Sequence, residues 1–248
     1  MRTVIITGGG KGIGSDIARA FHRSGDHVVV ASRKDNGFCG QFSERMEFVA
    51  CDVRHPKELH SLVDGVVART GRLDVFINNA GYSRWSPVED VDEAMWDDVV
   101  GTNLKGAFFG CQAASKYLSS GGSIINISSL ASKRGTPNNT VYCASKFGMN
   151  ALTQSLAKEL GPRGIRVNGI CPVLIATDGL LAALHDPTGP AAGGDVQAFL
   201  DNFAATQSAL RRLPTGDEVA NACLFLASSK ASAITGQNIN VDCGVLPQ

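Results

Sequence analysis

The sequence has no excess of charge of either sign, no apolar run long enough to cross a bilayer and no closely spaced cysteine pair. Its 23 Lys and Arg residues balance its 23 Asp and Glu residues, which argues against nucleic acid or an anionic membrane surface as a partner. Its longest apolar runs have the length of a strand, which is too short for a transmembrane helix. We therefore expect a protein that binds neither nucleic acid nor membranes.

The seven cysteines are scattered, odd in number and free of C-x-x-C spacing. This usage is typical of reduced thiols, and it argues against both a disulfide framework and a structural metal site. The N-terminal residues enter an apolar strand directly and lack the anatomy of a signal peptide. We therefore expect a cytoplasmic protein without a bound metal.

Repeats, low-complexity tracts and linkers are also missing from the 248 residues, of which 44% are hydrophobic, so we expect a single domain over residues 1–248. Apolar runs that predict strands lie at residues 4–6, 28–30, 47–51, 75–77, 124–127, 166–170 and 239–241, with amphipathic helical patterns between them. This alternation predicts an α/β fold, namely a single Rossmann-like, doubly wound parallel β-sheet of about seven strands with helices on both faces.

Polar or glycine-rich segments follow five of the predicted strands. They are Gly8–Gly14, Asp52–Val53, Asn78–Gly81, Ser128–Ser129 and Pro172–Thr177. In open α/β sheets the ligand lies outside the carboxyl ends of the strands. The five segments therefore predict one ligand-binding edge.

Three glycines after the first strand, Gly8, Gly12 and Gly14, have the spacing G-x-x-x-G-x-G. Glycine lets the chain turn tightly, brings backbone N–H groups close to a pyrophosphate and directs a helix N-terminus at its charge. The spacing differs from the usual G-x-G-x-x-G fingerprint, but the strand–turn–helix setting is the same. The loop therefore indicates a dinucleotide cofactor.

The second strand ends in Ala-Ser-Arg-Lys over residues 31–34, with no carboxylate where an NAD enzyme would place one. Asp35 comes too far along the chain. The Arg33 guanidinium suits a 2′-phosphate, and Lys11 could add a second cation, although each could equally be a solvated surface base. Together they favour NADP(H) over NAD(H).

Tyr142 and Lys146 are four residues apart at the start of a predicted helix over residues 140–160, so they lie on one face. A free Tyr has a pKa of about 10, and a nearby ammonium group favours the phenolate and lowers that pKa. A hydroxyl from the preceding strand, such as that of Ser129, could hold a carbonyl oxygen against the phenol. Taken alone, the pair could also be an ordinary helix with one exposed Lys and one half-buried Tyr.

These motifs follow one another in an order that resembles a known family. The chain carries Thr7-Gly8-x-x-x-Gly12-x-Gly14, Asp52-Val53, Asn78-Asn79-Ala80-Gly81, Asn103, Ser129, Tyr142-x-x-x-Lys146, Pro172 to Thr177, and Thr235-Gly236-Gln237. With them, nearly the whole chain resembles a short-chain dehydrogenase/reductase with an Asn-Ser-Tyr-Lys tetrad. The resemblance implies a single dinucleotide-binding and catalytic domain that transfers a hydride between nicotinamide C4 and a carbonyl or secondary alcohol.

The resemblance also implies catalytic roles. Tyr142 would be the general acid in reduction and the base in oxidation, and Lys146 would lower its pKa and bind the nicotinamide ribose. Asn103 would hold a water that connects Lys146 to solvent. Ser129, which stands 13 positions before Tyr142 as is common in the family, would orient the substrate oxygen in place of its neighbour Ser128.

The cofactor contacts expected from the residues and the resemblance together form a larger set. They are Gly8, Lys11, Gly12, Ile13, Gly14, Arg33, Asp52, Val53, Asn79, Ala80, Gly81, Tyr142, Lys146, Pro172, Ile175 and Thr177. Asp52 and Val53 would flank the adenine, and Ile175 and Thr177 would contact the carboxamide.

Two positions depart from the family pattern. Val173 stands where a glycine usually follows the proline, and a β-branched residue does not easily adopt a positive φ, so the loop is expected to take another path. Cys243 stands where a glycine is common, which could alter subunit packing.

Residues 178–212 are rich in Gly and Pro near their start and predict a small helical substrate lid. Polar lid residues that could meet a substrate, or be merely solvated, are His185, Gln207, Arg211 and Arg212, and Trp85 and Asn138 could border the same pocket. The lid length is associated with hydroxy-acid, sugar and polyol dehydrogenases.

We therefore expect an NADP(H)-dependent carbonyl reductase or alcohol dehydrogenase. A 3-oxoacyl-thioester reductase is the alternative within the same class, and a non-catalytic NADP(H)-binding regulator is the alternative from another class. The resemblance further implies a homotetramer built partly from the long helices after strands four and five, or else a dimer.

Overall fold

One parallel sheet of seven strands lies at the centre of residues 1–42 and 44–247, the part of the chain that the structure, a computed structural model, describes. The strands are β1 (Thr3–Thr7), β2 (His27–Ser32), β3 (Met46–Ala50), β4 (Val75–Asn78), β5 (Ser123–Ile127), β6 (Arg166–Pro172) and β7 (Asn238–Val241). Their order is β3-β2-β1-β4-β5-β6-β7, and every neighbouring pair is parallel. The order reverses between β1 and β4, which opens a crevice at their carboxyl ends. The predicted Rossmann-like fold is confirmed.

Helices cover both faces of this sheet. They are α1 (Gly12–Arg23), α2 (Pro56–Thr70), α3 (Glu93–Val100), α4 (Gly106–Ser115), α5 (Thr140–Leu160), α6 (Asp178–Leu184), α7 (Val196–Gln207) and α8 (Gly216–Leu226). Local sequence sets their ends: α2 begins with Pro56 in its first turn and ends at Gly71 with a φ of 75°. Helix α8 begins with a capping box between Thr215 and Glu218.

Two apolar layers hold the helices to the sheet. Val4 and Ile6 of β1 pack with Ile17 and Phe21 of α1 in the layer that also contains α8. Ile5 faces the other way, into the layer formed with α2, α4 and α5. Because side chains alternate along a strand and both faces are covered, β1 must be apolar at every one of these positions.

A short π-helix, Gly101–Lys105, lies between α3 and α4. The Gly106 N–H donates to the Gly101 carbonyl, five residues back instead of four. The apolar pattern does not report this change, because it reflects burial rather than backbone hydrogen bonding. The π-helix places the Asn103 side chain fully inside the protein.

Helices α6 and α7 lie in the segment predicted as a lid. Their N-terminal N–H groups are capped by the side chains of Thr177 and Asp195. Leu184, Val196 and Leu200 form a small apolar cluster of their own, separate from the two layers on the sheet. The segment therefore packs as a unit. A hydrogen bond from Asn138, in the loop that precedes α5, to the Thr188 carbonyl joins this segment to the loop.

All seven cysteines are free thiols, six of them buried. Across the described ranges, no group of three or more His, Cys, Asp or Glu side chains comes together as metal ligands. In the same part of the chain, no helix combines the length and the apolar composition needed to cross a membrane.

Candidate active site

Helix α5 places Tyr142 and Lys146 one turn apart at the carboxyl edge of the sheet. Lys146 is only 4% exposed, and its Nζ donates a 2.8 Å hydrogen bond to the Ile127 carbonyl at the end of β5. The same Nζ lies 5.7 Å from the centroid of the Tyr142 ring. The ammonium therefore contacts the ring face and the strand end together.

Burial moves the pKa values of these two groups in opposite directions. Desolvation raises the pKa of Tyr142 to about 12, and the Ser129 side chain opposes the shift by hydrogen bonding to the phenol. Desolvation lowers the pKa of Lys146 to about 8. The expected lowering of the Tyr142 pKa by Lys146 is thus not found in the protein without its ligands, where desolvation of the phenol is the largest cause of the shift.

Ser129 and Ser128 follow β5, but only Ser129 turns towards the phenol. Ser129 has an extended backbone (φ −165°, ψ 158°), and its Oγ accepts the Ala131 N–H at 3.1 Å. Ser128 is buried, and its hydroxyl instead donates to the Lys146 carbonyl at 3.4 Å. Ser129, and not Ser128, therefore lies against the Tyr142 phenol.

Asn103 joins the loop after β4 to helix α5. Its Nδ2 donates to the Tyr82 carbonyl at 3.0 Å and to Ser145 Oγ at 3.1 Å, and its Oδ1 accepts the Tyr82 N–H at 3.0 Å. Ser145 in turn donates to the Tyr142 carbonyl. A Cβ atom at Gly81 would lie 2.9 Å from Asn103 Oδ1 and 3.5 Å from Lys146 Nζ, so both atoms face the same small space.

The glycine loop forms a tight cradle between β1 and α1. Gly8 and Gly12 have φ values of 66° and 52°, which favour glycine. A Cβ atom at Gly14 would overlap the Gly8 carbonyl oxygen and lie 2.5 Å from Asn79 Nδ2. A side chain at position 14 is therefore excluded, because the Gly8 backbone could not move aside without changing the loop.

Thr7 and Asn79 connect this cradle to the end of β4. Thr7 Oγ1 accepts the N–H groups of Asn79 and Ala80, both at 3.1 Å. Asn79 Nδ2 donates to the carbonyls of Thr7 and Gly8 at 3.0 and 3.1 Å. These bonds bring Asn79, Ala80 and the glycine loop to one side of the crevice.

Positively and negatively charged side chains both lie at the edge of the sheet near β2 and β3. Arg33 and Lys11 are exposed, and Asp35 Oδ1 accepts the Gly37 N–H in a local turn. Arg54 binds Asp52 through Nε and Nη2, which lowers the pKa of the Asp52 carboxyl to about 2.

Arg54 also pairs with Asp98 of α3 at 2.6 Å. Asp98 accepts the Tyr82 hydroxyl, and this hydrogen bond is the main cause of its lowered pKa, to which Arg54 and, more weakly, Arg33 add. The carboxylates of Asp52 and Asp98 are thus compensated by arginine. Val53, next to Asp52, is buried beneath this network.

The segment after β6 returns to the glycine loop. Pro172 pairs with Val241 of β7, and the Val173 N–H continues this pairing to the Val241 carbonyl at 3.4 Å. Val173 is not among the residues with positive φ, so the loop follows a path that a β-branched residue tolerates.

Further along, Ile175 is buried and Thr177 lies against the glycine loop. A Cβ atom at Gly12 would be 3.3 Å from Thr177 Cγ2, and Ile13 follows Gly12 as a half-buried residue of α1. Cys243, the other departure from the family pattern, has a φ of 54°, a conformation that a non-glycine residue holds only at a cost of about 1 kcal/mol or more.

The polar residues predicted for the lid do not converge on Tyr142. Arg211 and Arg212 line a cavity of about 600 Å³ beside α7, with Gln197 and Asp201. Arg211 donates to the Ala205 carbonyl, and Arg212 pairs with Glu218. His185 and Gln207 are exposed.

On the other side of the lid, Trp85 is buried and its Nε1 has no hydrogen-bond partner in the part of the chain that is described. Asn138 has a φ of 57° and donates to the Thr188 carbonyl at 3.0 Å. The loop that precedes Tyr142 is therefore tied to the lid.

Several polar residues at the site were not predicted from the sequence. They are Thr7, which organises the loop after β4, Ser145, which binds Asn103, and Ser132, Asn150 and Cys171, which lie around Ser129. Asn150 could have been predicted from the sequence, because it continues the four-residue spacing of Tyr142 and Lys146 and so lies on the same face of α5. The others are joined only by contacts between separate elements.

The chain is similar to proteins of known family over nearly its whole length. The family described as “Enoyl-(Acyl carrier protein) reductase” matches residues 8–246. An uncharacterized oxidoreductase of Methylorubrum extorquens is 36% identical over 98% of this chain and 97% of its own. A probable galactose dehydrogenase of Rhizobium meliloti is 34% identical (98% and 94% covered), and a 3-oxoacyl-[acyl-carrier-protein] reductase of Staphylococcus aureus is 34% identical (98% and 98%).

Two solved structures show the same fold at 30% identity. One is the ligand-free aldohexose dehydrogenase of Thermoplasma acidophilum, with a TM-score of 0.89 over 100% of this chain and 97% of the other. The other is a variant of the actinorhodin polyketide ketoreductase with NADPH, with a TM-score of 0.90 over 98% and 97%. The chain therefore belongs to the short-chain dehydrogenase/reductase family, whose members bind NAD(P)(H), and it is an oxidoreductase acting on CH–OH or C=O groups.

Proposed function

We propose that the protein is an NADP(H)-dependent carbonyl reductase or alcohol dehydrogenase for a ketone, hydroxy acid, sugar or polyol. Its catalytic set is Asn103, Ser129, Tyr142 and Lys146, within one domain over residues 1–248 whose lid covers residues 178–212. The observation that carries the proposal is the meeting of Tyr142, Ser129 and Lys146 at the sheet edge that also holds the glycine cradle.

Tyr142 transfers the proton in this mechanism. When bound, the nicotinamide supplies or accepts the hydride, which is the chemistry of the cofactor. Because the pKa of Tyr142 is raised to about 12, its hydroxyl is protonated at neutral pH and ready to act as the general acid on a carbonyl oxygen. Ser129 holds the same oxygen and stabilises the charge that develops on it. In oxidation Tyr142 must first lose its proton, and the phenolate then accepts the proton of the alcohol.

Lys146 stabilises the charge that remains on Tyr142 after proton transfer. With a pKa of about 8, its ammonium is mostly protonated at neutral pH and lies over the phenol ring. Asn103 Oδ1 faces the same space as Lys146 Nζ, and it retains a lone pair beyond the bond from Tyr82. A water on that lone pair, or on the Asn103 main-chain carbonyl, would carry the proton towards solvent.

The residues present fit a dinucleotide phosphate. The cradle at Gly14 excludes a side chain and leaves the N-terminus of α1 for a pyrophosphate. The single charge of Arg54 pairs with both Asp52 and Asp98, and Arg33 and Lys11 bring two further positive charges to the side where a 2′-phosphate would lie. This balance supports NADP(H) over NAD(H).

A sugar or polyol is the substrate class best supported. The similarity to a probable galactose dehydrogenase and to an aldohexose dehydrogenase supports this class. The groove of about 600 Å³ beside α7 is lined by none of the catalytic residues, so it does not indicate the substrate.

A second candidate is a 3-oxoacyl-thioester reductase, favoured by the similarity to the Staphylococcus aureus enzyme of that name. Turnover of acetoacetyl-coenzyme A distinguishes the two. A kcat/KM for this thioester far above those for D-galactose and xylitol would replace the first candidate by the second.

The cofactor proposal is tested by steady-state kinetics with both cofactors. The panel contains D-galactose and xylitol as alcohols, and ethyl acetoacetate and para-nitrobenzaldehyde as carbonyls. We expect a higher kcat/KM with NADP(H) than with NAD(H), and we expect Arg33→Ala to lower that ratio roughly tenfold through loss of a charge-assisted contact.

Lys116→Ala, which removes an exposed positive charge at the far end of α4, is the control and should leave the ratio unchanged. If Arg33→Ala also leaves it unchanged, Arg33 does not select the cofactor.

A further inference from the structure

Three polar side chains behind Ser129 form a closed hydrogen-bonded group that the catalytic set does not include. Asn150 Nδ2 donates to Ser132 Oγ at 2.7 Å, and Cys171 Sγ lies 3.5 Å from Ser132 Oγ and 3.9 Å from Asn150 Oδ1. Ser132 and Cys171 are buried, and Asn150 is half-buried. We call Ser132, Asn150 and Cys171 the Ser129 support. Its three members come from the turn after β5, from α5 and from β6.

Proton counting sets the direction of each bond in the Ser129 support. The Ser132 hydroxyl donates its single proton to the Ser129 carbonyl, which also accepts the Ser132 N–H at 2.9 Å. Ser132 Oγ must therefore accept from Asn150 and from Cys171. The Cys171 thiol has one proton to share between Ser132 Oγ and Asn150 Oδ1. Because each member of the Ser129 support has a hydrogen-bond partner within the group, we expect the group to be rigid in this buried setting.

The Ser129 support ties Ser129 to the helix that carries its catalytic partners. Tyr142, Lys146 and Asn150 are spaced four residues apart on α5 and so occupy one face in successive turns. Tyr142 hydrogen-bonds to the Ser129 side chain. Asn150 binds the turn that follows Ser129 through its hydrogen bond to Ser132. One rigid helix thus fixes both sides of the contact between phenol and serine.

Cys171 links the Ser129 support to strand β6. It is fully buried in β6, directly before Pro172. Cys171 interacts electrostatically with both Tyr142 and Lys146, so its sulfur lies near the two groups.

We propose that Asn150 is a positioning residue that, through Ser132 and with Cys171, holds Ser129 at the distance from Tyr142 that a shared substrate oxygen requires. It touches neither substrate nor cofactor. The inference rests on the proposed role of Ser129 in the preceding section. Because small misplacements of a reacting pair cost rate more than binding, its loss acts on kcat.

The test compares Asn150→Ala in two backgrounds, the parent and Ser129→Ala. The assay is NADPH-linked reduction of para-nitrobenzaldehyde, or of the panel carbonyl with the highest kcat/KM. In the parent we expect Asn150→Ala to lower kcat roughly tenfold, the order expected for one buried hydrogen bond. In the Ser129→Ala background we expect Asn150→Ala to lower kcat by less than about twofold, because the Ser129 hydroxyl is no longer there to be positioned. NADPH affinity, from fluorescence titration, should be unchanged in both.

Gln154→Ala, one turn further along α5 and exposed, is the matched control and should have no effect. Ser132→Ala should repeat the loss seen in Asn150→Ala, the double variant should be no slower than either, and Ser132→Thr, which keeps the hydroxyl, should restore activity. A readout independent of turnover is the Cys171 S–H stretching band, isolated by subtracting the infrared spectrum of Cys171→Ala. Asn150→Ala should shift this band.

The outcomes separate the inference from the proposed function. If Ser129→Ala lowers kcat but Asn150→Ala costs the same factor in both backgrounds, Asn150 acts independently of Ser129 and the inference is wrong while the catalytic role of Ser129 stands. An S–H band that Asn150→Ala leaves unmoved also overturns it. If Ser129→Ala leaves kcat at the parent value, the proposed role of Ser129 and the inference both fail.

Discussion

At the scale of single residues, burial separates the ionisation of Tyr142 from that of Lys146. The phenol loses solvation and its pKa rises to about 12, while the ammonium loses solvation and its pKa falls to about 8. Lys146 keeps only one hydrogen bond that the structure records, to the Ile127 carbonyl. Holding this cation inside the protein therefore costs stability as well as serving the site.

The stability of the protein should report the cost of burying Lys146. Its folded-state pKa of about 8 lies below its ordinary value of 10.5, so between these values the unfolded state binds more protons and the Lys146 contribution to stability rises with pH. Relative to Lys146→Met, the parent should gain about 2 kcal/mol of unfolding free energy from pH 7.5 to pH 9.5.

Urea denaturation of both proteins at the two pH values measures this difference. The Met variant is the reference because it keeps much of the side-chain volume and cannot titrate. A difference that stays constant, or that falls as the pH rises, would show that Lys146 is not desolvated in the folded protein.

The residues at the site divide into those that spacing could predict and those that it could not. Tyr142 and Lys146 share a helix face, and their places follow from a four-residue interval. Ser132 and Cys171 meet Asn150 across three different elements, and no periodicity along the chain records such a contact. The direction of the Tyr142 pKa shift also depended on burial, which the sequence pattern does not quantify.

At the scale of elements, the loop between β1 and α1 has the least freedom to change. Gly14 faces the Gly8 carbonyl and Asn79 Nδ2 so closely that a methyl group would overlap backbone. Gly14→Ala should therefore shift the loop away from the N-terminus of α1 and weaken NADPH binding by roughly tenfold or more.

Fluorescence titration with NADPH gives the dissociation constant for this comparison. Gly40→Ala is the control, because a Cβ atom there would meet open space and Gly40 is not among the glycines with positive φ. An affinity for NADPH in Gly14→Ala equal to that of the parent would contradict the assignment of this loop to the pyrophosphate.

The elements themselves were predictable because most of them are marked by burial. The strands are covered on both faces, so they read as short apolar runs, and their observed positions differ from the predicted ones by only a few residues. The π-helix Gly101–Lys105 was not predicted, because it changes hydrogen-bond partners without changing which side chains are buried. The lid was predicted as a segment, but its separate apolar cluster around Leu184 depends on contacts between α6 and α7.

At the scale of the whole molecule, large apolar side chains remain exposed on the helices after β4 and β5. Trp96 of α3 is 47% exposed, Phe108 of α4 is 42% exposed and Phe147 of α5 is 47% exposed. Aromatic residues in such a position are typical of subunit interfaces. We propose that these helices form part of the contact in a homotetramer, with a dimer as the alternative.

Phe108→Glu should disrupt that contact, since it places a charge in an apolar interface. Sedimentation velocity is expected to show a tetrameric parent and a variant of lower mass. Val88→Glu, at a residue of the 3₁₀-helix Val88–Asp90 that is 71% exposed, is the control and should leave the mass unchanged. If the parent sediments as a monomer, or if Phe108→Glu sediments like the parent, these helices are not the interface.

The proposal that unites the molecule is proton transfer by Tyr142 to a carbonyl oxygen beside bound NADPH. Tyr142→Phe removes only the hydroxyl, and its most direct measurement is kcat for NADPH-linked carbonyl reduction together with the NADPH dissociation constant. We expect kcat to fall by about a hundredfold or more, as for loss of a general acid, with NADPH affinity within about twofold of the parent. Turnover by Tyr142→Phe at the parent rate would contradict the mechanism.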